Sequence, residues 1–89
     1  MTPTSEDFER VLARMLRGAS RVGFVAVEVN AGILHRIIGG YPGQHHRMPI
    51  CCAIMRSAMR AQDEVVASPP KGKGASLTIR YRLPWVESA

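Results

Sequence analysis

The apolar positions of the chain change period several times, and each change marks a new element. Phe8, Val11, Leu12, Met15 and Leu16 recur at i, i+3, i+4, i+7 and i+8, the spacing of one helical face. Thr4 or Ser5 is placed to cap this helix, and Glu6, Asp7 and Glu9 suit the positive end of its dipole. Gly18 ends it, or it frays on to Ser20. Residues 24–29 are rich in β-branched side chains and predict a short strand. Asn30 is then a good N-cap for a second helix with Ile33, Leu34, Ile37 and Ile38 on one face, stopped by Gly39 and Gly40. Tyr41, Pro42 and Gly43 form a tight connection.

A third helix is expected from about His46 to Arg60, with Pro49 in its first turn, where a missing N–H does no harm. At about 100° per residue, Cys51, Ile54, Met55 and Ala58 fall on one side and His46, Pro49, Ala53, Arg56 and Arg60 on the other. Residues 64–68 predict a strand and 69–74 a loop with Lys71 and Lys73 at its tip. The returning strand sets Leu77, Ile79, Tyr81 and Leu83 against Thr78, Arg80 and Arg82. Pro84 ends it. Phe8, Val11, Leu12, Leu34, Ile37, Ile54, Leu77 and Ile79 are expected in one core.

Length changes this picture little: 89 residues suit one domain, 1–89, with an ordered core at about 5–84. Charge changes it more. The net charge is +5, and residues 45–89 hold seven cations against three anions, whereas residues 1–44 hold five against four. A positive excess in the second half suits a polyanion, because Lys and Arg release counterions from phosphate. No apolar run approaches the ~20 residues of a membrane span, and the polar, acidic N-terminus does not resemble a secretory signal. The only cysteines, Cys51 and Cys52, are adjacent and make no disulfide scaffold. A cytoplasmic location and no membrane partner are expected.

Candidate chemistry is sparse. His45, His46, Cys51 and Cys52 are all of zinc-ligand type, but His46 and Cys51 stand five apart and the two cysteines diverge on a helix. No metal or other cofactor is expected. Cys51 is expected in the core, and His45 and His46 at the third helix's cap or on phosphate. There is no nucleophile elbow, phosphate loop or carboxylate pair, so no enzyme activity is expected. Arginines one turn apart on a solvent-facing helix can enter a groove about 12 Å wide, pairing with guanine or clamping phosphate.

The order helix, strand, helix, tight turn, helix, strand, basic loop, strand resembles the winged helix-turn-helix superfamily over residues 5–84. The carrying stretches are residues 24–30, the turn Gly39-Gly40-Tyr41-Pro42-Gly43, and the wing at 69–74. The resemblance implies an α+β fold of three helices with a small antiparallel sheet and a hairpin wing. It implies a third helix in the major groove and a wing on the backbone or minor groove. Double-stranded DNA is then the expected partner of a small transcriptional regulator acting as a homodimer. The residues assigned to contact it are His46, Arg47, Arg56, Arg60, Lys71, Lys73, Arg80 and Arg82. The run Leu34-His35-Arg36, Gly39 to Gly43, His46-Arg47-Met48-Pro49 and Cys51-Cys52 also looks like a small bacterial family of stand-alone proteins, which brings no activity with it. The alternative is a protein–protein module of this shape from a mobile element or defence locus. The third helix's lack of Asn or Gln to read adenine favours that alternative, and the clustered positive charge favours DNA.

Overall fold

The computed structural model describes residues 3–39, 41, 43, 46–69 and 74–85. The fold is α+β. Its elements are α1 (Ser5–Val22), β1 (Ala26–Asn30), α2 (Ala31–Ile38), α3 (Met48–Ser57), β2 (Glu64–Ala67) and β3 (Thr78–Arg82). The strands form one antiparallel sheet in the order β1-β3-β2.

Thr4 caps α1 through a capping box: its hydroxyl accepts from the Asp7 N–H, and the Asp7 carboxylate accepts from the Thr4 N–H. The helix runs past Gly18 to Val22. Gly18 stays helical, and the stop falls at Gly23, whose φ of 100° is the left-handed conformation glycine tolerates. β1 is shorter than the apolar run, since Phe24 and Val25 precede it and are exposed.

The core draws on every helix and on the two longer strands. Phe8, Leu12 and Leu16 of α1 meet Leu34 of α2, Met48, Cys51, Cys52 and Met55 of α3, and Val29, Leu77, Ile79 and Tyr81 from the sheet side. Val11 and Ile54 pack against this cluster half-buried. Ile37 does not join it and is 59% exposed. The reason is a rotation of α2. His35 turns inward with no exposed surface, which brings Leu34 and Ile38 to the inner side and turns Ile33 and Ile37 out.

The start of α2 is stitched to the lead-in of β3. The Ala31 N–H donates to the Leu77 carbonyl at 2.8 Å and the Gly32 N–H to the Ala75 carbonyl at 3.1 Å. The Ile33 N–H takes the Asn30 side chain at 3.1 Å. Gly32 eases this approach, because a Cβ there would lie 3.1 Å from the Ala75 Cβ, tighter than an ordinary contact. Across the sheet, Val29 pairs with Ile79 and Glu28 with Arg80, and β2 sets Val65 and Glu64 against the same two residues. The Tyr81 hydroxyl donates to the Met55 carbonyl at 2.8 Å and fixes β3 to α3. Among the described residues no helix is long and apolar enough to cross a membrane.

Burial pushes the Cys51 thiol from its ordinary 9.0 up to about 12, with the neighbouring Cys52 adding to the shift. Burial raises the Tyr81 phenol as well. A raised acid is stabilising while protonated. Between pH 9.0 and about 12 the unfolded chain releases a Cys51 proton that the folded chain keeps. Stability therefore falls with rising pH across that window, by up to about 1.4 kcal/mol per unit for one such group. Melting followed by circular dichroism should show a midpoint unaffected by this thiol below pH 9.0 and declining above it. Cys51→Ala should be less stable at neutral pH but decline less steeply. Equal slopes for the two proteins would remove Cys51 from the effect.

Candidate nucleic-acid interface

The placement of α3 begins with one imidazole. His35 sits near the end of α2, its ring edge-to-face against Phe8 at 5.0 Å and tilted on Tyr41 at 5.4 Å. Its Nε2 accepts the Arg47 N–H at 2.9 Å, so the ring proton belongs on Nδ1, which donates to the Gly39 carbonyl at 3.1 Å. Gly39 leaves α2 with φ 112°, and Arg47 is the N-cap of α3. One buried ring thus holds both ends of the connection. His46 adds a second lock by accepting the Met48 N–H on Nδ1 at 3.2 Å.

The far end of α3 is fixed by Asp63, which is buried. One carboxylate oxygen accepts the Arg60 N–H at 2.8 Å and the other the Arg82 N–H at 2.7 Å. The chain reverses here and α3 stops at Ser57, three residues short of the expected end at Arg60. The Arg60 backbone N–H bonds to Asp63, so it does not continue the helical ladder. The Arg60 side chain turns to the sheet and donates to the Arg82 carbonyl at 3.0 Å. Arg60 therefore does not share a helical face with Arg56.

The two outer charges of β3 are placed differently. Arg80 spans the outer face of the sheet, bonding Glu28 on β1 through Nε and Nη2 at 3.1 and 2.8 Å and Glu64 on β2 through Nη1. The Glu28 hydrogen bond, with both carboxylates close by, raises its already high pKa. A guanidinium flanked by two carboxylates adds no positive field for a phosphate. Arg82 is exposed at the end of β3.

His46, Arg47 and Arg56 remain exposed around α3, as do Pro49 and Ala53. Lys71 and Lys73 lie outside the described residues. The root of their loop is nevertheless fixed beside α3. Pro69 is buried against Gly74, where a Cβ would meet Pro69 at 3.2 Å, and the Cys52 thiol donates to the Gly74 carbonyl at 3.4 Å. The Cys51 thiol points to the Ala31 carbonyl at 3.6 Å. Among the described residues, no three His, Cys, Asp or Glu side chains gather as a metal site.

Sequence reasoning missed His35 and Asp63. A histidine four residues before a helix-stopping glycine and an aspartate three residues after an arginine are the local spacings of these two clamps. The starts of α2 and α3 bond largely within the protein, so any anion near them would be met mainly by side chains.

No protein-family model matches the chain, and no curated protein or solved structure is found similar to it.

The two arginines should separate in a folding assay. Arg60→Ala removes the exposed bond to the Arg82 carbonyl and should lower stability by about 0.5–1.5 kcal/mol. Arg47→Ala alters only an exposed side chain and should stay within about 0.5 kcal/mol. Urea unfolding of both variants checks this, and equal midpoints would mean that the Arg60 bond contributes nothing.

Proposed function

We propose that this is a winged helix-turn-helix protein that binds double-stranded DNA through α3 and the β2–β3 loop. The observation carrying this reading is the element order, with the sheet order β1-β3-β2, which leaves α3 presented outward beside the root of a loop bearing two lysines. α3 itself carries no acidic residue. Its exposed cations are Arg47 at the start and Arg56 near the end. Phosphate contact from these side chains and from the loop lysines would orient the helix along the groove. Arg80 takes no part in this reading, since it lies between Glu28 and Glu64, and Arg60 is turned towards the Arg82 carbonyl.

One observation favours the rival reading of a protein–protein module. Ile33 and Ile37 stand one turn apart on the outer side of α2, each 59% exposed. Such a pair is an apolar anchor in search of a cover.

Titration with random-sequence duplex DNA over a range of salt separates the two. Each phosphate contact contributes roughly −0.9 to the slope of log K against log salt. The double variant Arg47→Glu, Arg56→Glu should bind all duplexes more weakly and flatten the slope by about two contacts' worth. Absence of binding at low salt would sink the DNA reading and leave the α2 face as the candidate interface.

A further inference from the structure

The outer face of α3 consists of Pro49, Ala53 and Arg56 at i, i+4 and i+7, with Ile50 half-buried at its side. The helix contains no Asn, Gln, Asp or Glu. Ser57, the one hydroxyl residue of α3, donates to the Ile54 carbonyl at 2.9 Å. Pro49 and Ala53 therefore offer a base edge carbon surface and no hydrogen bond.

The major-groove edge of DNA has one apolar feature, the C5-methyl of thymine. A guanine or cytosine edge pressed against Pro49 and Ala53 would lose water from its donors and acceptors and gain no partner. A thymine edge gains methyl contact at the same place. From these facts we infer that α3 selects for thymine, with Pro49 and Ala53 as the specificity-determining residues. This rests on the DNA reading above. The two residues are about 6 Å apart along the helix axis, which corresponds to about two base steps of 3.4 Å. Two A·T pairs about two base steps apart, with their thymine methyls towards α3, are the preferred element. Burying a methyl group is worth about fourfold in affinity, so two are worth on the order of tenfold.

The test compares two short A·T-rich duplexes of one sequence, one containing thymine and the other uracil, which differ only in the methyl groups. Binding is read by fluorescence anisotropy at several salt concentrations. The expected result is on the order of tenfold tighter binding of the thymine duplex. Ala53→Ser converts an exposed methyl to a hydroxymethyl group and should shrink that gap by about fourfold while leaving the salt slope unchanged. Equal, salt-dependent binding of both duplexes by the wild type would overturn the inference and leave the DNA reading standing. A gap of the same size in Ala53→Ser would place the preference in the duplex's shape and overturn it too. If neither duplex binds at low salt, the DNA reading fails and the inference with it.

Discussion

The imidazole of His35 is the constraint on which the arrangement of α2 and α3 depends. It is fully buried, and each of its nitrogens bonds a backbone group at one end of the same connection, the Gly39 carbonyl and the Arg47 N–H. An apolar ring of similar size would fill the space but remove the partner of both half-buried bonds, at about 0.5–1.5 kcal/mol each. The ring also fixes the rotation of α2. With His35 turned inward, Leu34 and Ile38 follow it and Ile33 and Ile37 turn out. A core polar group thus determines which apolar side chains the surface shows.

Asp63 plays the matching part at the other end of α3. It collects N–H groups from Arg60 and Arg82, which lie far apart in sequence, and so joins the exit of α3 to the end of β3. Tyr81 adds a third tie, through the Met55 carbonyl. α3 is therefore held at its start by a ring, at its end by a carboxylate and along its buried side by packing. Pro49, Ala53 and Arg56 remain exposed on its outer side.

Where periodicity was long, the sequence showed the fold directly. The α1 face, the Asn30 cap, the alternation of β3 and the order of elements all follow from spacing, because each rests on contacts among near neighbours. What periodicity could not show were the effects of single side-chain hydrogen bonds. Ile37 fits an apolar stripe, and only the ring at His35 decides that the stripe's centre lies elsewhere. Arg60 fits a continued helix, and only Asp63 ends that helix at Ser57. Arg80 and Arg82 have the same alternation and the same charge, yet Arg80 lies between Glu28 and Glu64. For the candidate site, residue type was legible and availability was not, since availability depends on partners up to 52 positions away.

Those losses sharpen the electrostatic argument. A net charge of +5 describes the whole chain, but a ligand meets local fields screened within about 10 Å. On the outer sheet face, Glu28 and Glu64 cancel the charge of Arg80, which adds no attraction for phosphate. Around α3 the balance runs the other way, since Arg47 and Arg56 stand on a helix with no acid. The same ten residues that avoid acids also avoid amides. A helix of this composition can be drawn to a phosphate backbone yet has few means of hydrogen-bonding a base. Attraction would come from the two arginines at its ends, and any selectivity must come mainly from the shape and carbon surface between them.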